Sequence, residues 1–268
     1  MEEERRVLLP DAHCHLDFAA NGRLLAHAAE CARLEAFSTT VTPAGYERAR
    51  ALFASCATVR VGVGLHPWWV ADGSCGEAEI SRFEELAKGA RFIGEIGLDF
   101  GRHRATSRDE QTATFERAVR AGITGGKVVS LHAVAAADEV LDVLERDGRT
   151  SDNACIMHWF SGSSDALQRA VRLGCYFSVG PRMLATKRGH AYVQAIPADR
   201  LLVETDWPSS PRGEADFAAW TAQLQEAADV LVALKGADIL ERIVQTWHEL
   251  FDAPVPKEAR EEGFPCRS

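Results

Sequence analysis

The chain has 268 residues, 46% of them hydrophobic and 26% charged, a balance that excludes a wholly disordered chain and can fill a sizeable core. Lys and Arg number 30 against 39 Asp and Glu, so the net charge of −9 has the wrong sign for broad, sequence-independent attraction to a polyanion. Seven cysteines, an odd number without any C-x-x-C spacing, argue against a disulfide framework and for a reducing cytoplasm. The opening MEEERRVLLP is acidic and its apolar run ends at Pro10, which is not a signal-peptide pattern. No run approaches the roughly 18 apolar residues of a membrane span. A soluble, cytoplasmic monomer is expected, with no membrane partner.

Eight short apolar or β-branched runs alternate with helical patterns along the chain, the signature of parallel βαβ units. They are VLLPDAH (7–13), AFSTTVT (36–42), VRVGVGLH (59–66), RFIGEIG (91–97), KVVSLH (127–132), ACIMHW (154–159), CYFSVG (175–180) and RLLVET (200–205). Several are apolar nearly throughout, as strands covered on both faces must be. Between them, Phe115, Val119 and Gly122 follow Asp109 at helical spacing, and Val140, Leu141 and Leu144 follow Asp138. Ser164 and Asp165 are the expected N-caps of a helix ending near Gly174. A long pattern runs through Phe217, Trp220, Leu224, Ala228, Leu231 and Leu234, and another helix spans 239–251. Eight strand–helix units predict an α/β fold, a single-domain (β/α)8 TIM barrel over 1–251. The stretch 252–268, with three prolines and a charge run, is expected to be a loosely attached tail.

The sharpest local signal is DAHCHLD, Asp11 to Asp17, which puts His13 and His15 two residues apart at the end of the first strand. Alternate strand residues point the same way, so both imidazoles can reach one metal; two histidines simply satisfied by hydrogen bonds is the competing reading. Glu95, His132 and His158 fall at the ends of the fourth, fifth and sixth predicted strands, and Asp206 just past the eighth. In barrels, strand C-termini and the loops that follow them carry the active site, so convergence of the set favours a metal cluster over separate structural roles. Imidazole and carboxylate donors suit two divalent ions such as Mg, Mn or Zn, with a bridging carboxylate between them.

The motifs DAHCHLDF, VGLHP (63–67), IGEIGLDF (93–100), Gln111, HWFSG (158–162) and LLVETDWP (201–208) occur in the order seen in TatD-like hydrolases, and the chain resembles that family over nearly the whole barrel. The resemblance implies that His13 and His15 hold one metal, that Glu95 bridges two, and that His132 and His158 hold the other. It implies that Asp206 ligates the first metal and takes a proton from the attacking water, so that Asp206 and Glu95 are the catalytic residues. It implies a deoxyribonuclease acting on single-stranded DNA or DNA ends. Two rivals stand: a hydrolase of an amide or aminoacyl ester, because the same cluster polarises carbonyls, and a non-catalytic metal-binding barrel in a larger assembly.

For His66 two readings are open, a substrate-facing imidazole by resemblance and a loop-holding hydrogen bond before Pro67. Trp159 and Phe160 either border the pocket as stacking faces or belong to the core. The family usually shows H-x-R after the fifth strand, whereas this chain reads His132, Ala133, Val134. Two loops offer positive charge in its place: Arg102, His103 and Arg104, and Arg182, Lys187 and Arg188. Arg182 and Lys187 are taken as substrate-binding candidates, with a solvated surface loop as the alternative. The family's asparagine in the last helix is absent from TWHELF (246–251).

Overall fold

The structure, a computed structural model, describes residues 8–147, 150–211 and 213–253. All eight expected strands form: β1 (Asp11–Cys14), β2 (Ala36–Thr39), β3 (Val59–Leu65), β4 (Phe92–Asp99), β5 (Val128–Val134), β6 (Ala154–His158), β7 (Tyr176–Val179) and β8 (Leu201–Val203). They pair in sequence order, every pair parallel, as the right-handed strand–helix–strand connection dictates. Several bounds differ from the expected runs. β1 starts only at Asp11, because Pro10 has no N–H to give a neighbouring strand; Val7 lies outside the described residues. β8 ends at Val203, and the Thr205 N–H turns instead to the Asp11 carboxylate. β5 runs two residues further than expected, to Val134.

The ring closes beyond β8. Asp206 N donates to His13 O and His15 N donates to Trp207 O, each at 2.9 Å. Asp11 adds a side-chain seam: its carboxylate accepts from Thr205 N at 3.1 Å, Thr205 Oγ1 at 2.6 Å and Trp220 Nε1 at 2.7 Å.

Helices cover the outside: α1 (Gly22–Ala32), α2 (Pro43–Leu52), α3 (Pro67–Ala71), α4 (Glu77–Gly89), α5 (Arg108–Gly122), α6 (Ala137–Asp147), α7 (Ser164–Arg172), α8 (Pro181–Leu184), α9 (Lys187–Ala195), α10 (Phe217–Lys235) and α11 (Asp238–Phe251). Local chemistry starts them where they start. Thr42 caps α2 by accepting from Gly45 N, with Pro43 in the first turn, and Asp216 caps α10 through Ala218 N. The cap of α7 is Ser163, one residue earlier than expected, accepting from Ala166 N at 3.0 Å. Val140, Leu141, Val143 and Leu144 form the buried stripe of α6. From α11, Trp247 and Phe251 pack with Phe37, Phe92, Ile156 and Leu202 and close the N-terminal end of the barrel.

All six described cysteines are free; Cys14, Cys56, Cys75, Cys155 and Cys175 are buried, and Cys31 is exposed on α1. Among the described residues no helix is long and apolar enough to cross a membrane. The expected tail, apart from Asp252 and Ala253, lies outside the described residues.

Candidate metal centre

The strand ends that matter are held by backbone geometry that few side chains allow. Gly97 has φ +148°, and a Cβ there would stand 2.0 Å from His132 O, so only glycine lets β4 lie against β5 beside Glu95. Trp159 (φ 42°) and Asp206 (φ 52°), directly after β6 and just past β8, are left-handed non-glycine residues. Such backbone costs roughly 1–3 kcal/mol per residue and persists where the surroundings over-determine it.

Glu95, 3% exposed, is the hub. Its Oε2 lies 3.5 Å from His13 Nε2 and 3.4 Å from His15 Nε2. Its Oε1 lies 2.6 Å from His132 Nδ1, 3.0 Å from His66 Nε2 and 3.7 Å from His158 Nε2. Asp206 Oδ1 completes the first side, 3.3 Å from His15 Nε2 and 3.8 Å from His13 Nε2. The six residues expected from sequence are thus brought together at one end of the barrel. At this end of the barrel three groups of donors cluster tightly enough to hold an ion: His13 with His15 and Asp206; His13 with Glu95 and His158; and His66 with Glu95 and His132.

Each imidazole of the set is fixed by its outward nitrogen. His15 Nδ1 donates to Thr39 O at 2.8 Å, which turns Nε2 inward. His13 Nδ1 bonds Ser130 Oγ at 2.7 Å, and His158 Nδ1 bonds Glu204 at 2.9 Å. His132 is reversed, with Nε2 3.4 Å from Asp99 Oδ2 and Nδ1 inward. An outer partner on each ring, a carboxylate for His132 and His158, a carbonyl for His15 and a hydroxyl for His13, is the support that metal-ligating histidines use to set tautomer and orientation. The donor chemistry therefore fits a pair of divalent cations. Asp99 and Glu204 carry no role in the sequence reading, although both stand inside quoted motifs.

Burial opposes charge throughout, and the partners outweigh it at Glu95, Asp206, His15 and His158. Against burial, the histidines His66 and His13 hold Glu95 well below the carboxylate range. Asp206 is likewise held down to about 2, against burial, by its hydrogen bond to His15 and the charge of His158. His15 rises to about 9 through Asp206 and Glu95, and His158 to about 10 through Glu204, both against burial. For His66 burial wins and pushes it to about 4, so it is neutral. His66 makes the loop-holding bond, Nδ1 accepting from Trp68 N at 3.1 Å at the start of α3, while Nε2 faces Glu95.

The aromatic pair of HWFSG divides. Phe160 is core, packed on Phe177 and Tyr192, whereas Trp159 is half-buried with Arg182 5.4 Å from its ring. Arg182 also donates to Ser209 Oγ at 3.2 Å. Arg188 is tied to Gly162 O, and Lys187 is exposed at the start of α9. Arg104 lies over the Trp68 ring, which sequence reasoning passed over.

The sequence matches the family of TatD related DNases over residues 10–251. "Uncharacterized metal-dependent hydrolase YcfH" of Escherichia coli strain K12 is 26% identical over 247 residues, 88% of this chain and 91% of that protein. "Deoxyribonuclease Tat-D" of Saccharomyces cerevisiae is 31% identical over 172 residues, 52% of this chain but only 41% of the yeast protein. Its Schizosaccharomyces pombe namesake is matched over 37% of its length. The solved structure of YJJV, a TatD homologue of Escherichia coli k12, superposes with a TM-score of 0.70 at 22% identity, covering 92% of this chain and 98% of that one. A TatD family hydrolase from Entamoeba histolytica gives 0.70 at 14% identity, covering 92% and 99%. Those two likenesses establish the shared barrel, and the family match extends from just before β1 to the end of α11: the chain belongs to the TatD-related DNase family.

Proposed function

We propose that the chain is a divalent-metal-dependent hydrolase of phosphodiester bonds, a deoxyribonuclease that trims single-stranded DNA or frayed ends as an exonuclease does. The observation that carries this reading is Glu95, whose two oxygens face separate sets of imidazoles, as a carboxylate bridging two cations requires. Family membership and the name borne by the yeast relatives support DNA as the substrate. The mixed imidazole and carboxylate donors suit Mg, Mn or Zn. His13, His15, Glu95 and Asp206 would hold one ion, and Glu95, His132 and His158 the other. Bound there, the two ions would supply Lewis acidity toward the phosphoryl oxygens and lower the pKa of water.

The side chains supply the rest. Asp206 is the most exposed of the six, at 17%, and stays ionised, so it can take the proton of an attacking water. His66 stays neutral with Nε2–H directed into the centre, where it can donate to a phosphoryl oxygen without adding charge. Trp159 and Arg182 border the approach from β6 and α8, and Lys187 is a contact for the strand farther out.

Val134, apolar and 39% exposed where the family carries arginine, favours one second reading, hydrolysis of an amide or aminoacyl ester. Metal-stripped protein given end-labelled single-stranded DNA and an aminoacyl ester, with Mg, Mn or Zn restored, separates the two. Metal-dependent shortening of DNA that Asp206→Asn abolishes supports the nuclease; ester turnover with DNA intact overturns it.

A further inference from the structure

The arginine missing at position 134 leaves open what holds the DNA strand beside the reacting phosphate. The loop after β4 offers a built answer. Its backbone is pinned rather than loose: Gln111 of α5 accepts from Asp99 N at 2.8 Å and donates to Asp99 O at 2.9 Å, while Arg104 N donates to Gly101 O at 2.8 Å and Ser107 Oγ to Arg104 O at 2.9 Å. The Arg104 side chain lies over Trp68, its guanidinium carbon 4.1 Å from the ring centre. Stacking of this kind orients a guanidinium while leaving its edge N–H groups free to grip an anion. Among the described residues no carboxylate pairs with Arg104, whereas Arg60, Arg82, Arg117 and Arg169 on the flanks are each bound to two or more.

Trp68 is itself tied to the centre. It is 37% exposed, its Nε1 donates to Asp99 Oδ2, and the same carboxylate oxygen faces His132 Nε2. The Trp68 ring stands 6.2 Å from the His132 ring, so a strand of one or two nucleotides would span from the centre to Arg104. Trp68, Trp69, Arg104 and Ser107 line an open cleft of about 380 Å³, within the range of ligand-sized pockets.

We infer that this cleft is a subsite for the nucleotide next to the one being cleaved, with Arg104 binding its phosphate on the shelf that Trp68 provides. The inference rests on the phosphodiesterase reading and names the contact that replaces the family arginine. A neutralised phosphate on a single strand contributes about 0.7 to the slope of log affinity against log salt. The test is KM of the metal-loaded enzyme for an end-labelled oligothymidylate over a salt series. Arg104→Gln should raise KM at low salt and flatten the slope by about 0.7, Arg104→Lys should restore the slope, and Arg120→Gln on the exposed face of α5 should change neither. A slope unchanged in Arg104→Gln, or flattened equally by Arg120→Gln, overturns the subsite while the nuclease stands. A wild-type enzyme that leaves the oligonucleotide intact overturns both.

Discussion

Glu204 faces His158 rather than the centre, and the same carboxylate oxygen, Oε2, also accepts from Ser178 Oγ. It holds Nδ1 as a donor and so presents Nε2 to a cation. Glu204→Gln should weaken metal binding ten- to a hundred-fold with the fold intact, as read by competition against a chromophoric chelator; unchanged affinity would reduce Glu204 to packing. The raised histidines give a pH dependence with a definite sign. His15 at about 9 and His158 at about 10 hold protons at neutral pH in the metal-free protein, against an ordinary 6.5. A raised folded pKa stabilises fully below the unfolded value and is lost as pH rises through the folded one, so the metal-free protein should lose stability between about 6.5 and 10. Metal needs both lone pairs, so loading must release protons and affinity must climb over the same range. Calorimetric titration in two buffers of different ionisation enthalpy checks this, and metal uptake without proton release would contradict it. The six inner donors were legible in the sequence because their residue types carry metal chemistry and sit at strand ends. Glu204 and Asp99 were not: their histidine partners lie 46 and 33 residues away, and no spacing connects them.

Lys127 shows how an element can be anchored by a residue with no motif. Just before β5, it is 7% exposed and its Nζ donates to Ala87 O, Lys88 O and Ala90 O, the carbonyls that end α4. Lys127→Met would keep the apolar stem but leave three acceptors without their donor, and should cost about 2 kcal/mol in denaturant unfolding with metal binding unaffected. A loss under about 0.5 kcal/mol would mean that water takes over the cap. The strands themselves were readable, since β3 and β5 are nearly continuous β-branched and apolar runs covered on both faces. Their ends were not, because termination is decided by partners: Val203 ends β8 where Asp11 intercepts the next residues, and β5 continues because Val134 O accepts from Phe100 N. The cap of α7 was misplaced by one residue for the same reason, as Ser163 and Ser164 are equal in sequence and only the extended backbone of Ser163 selects it.

Across the whole molecule, the ring depends on one buried carboxylate joining its first and last strands. Asp11 accepts from His13 N, Thr205 N, Thr205 Oγ1 and Trp220 Nε1, and burial still pushes it up to about 7. Asp11→Ala would strand these donors, and should cost on the order of 4 kcal/mol of stability, lowering the melting temperature by roughly 10 °C. It should also weaken metal binding, because His13 and Asp206 flank the seam; a variant with unchanged melting would show that the backbone bonds alone close the ring. The same seam sets a timetable. His13 and His15 are made almost 200 residues before Asp206 and the Trp207 carbonyl that fix them. Throughout that interval of synthesis the growing chain holds these two histidines without the strand that arms them. A centre assembled in this order cannot offer a cation its full donor set until the eighth strand has emerged and docked.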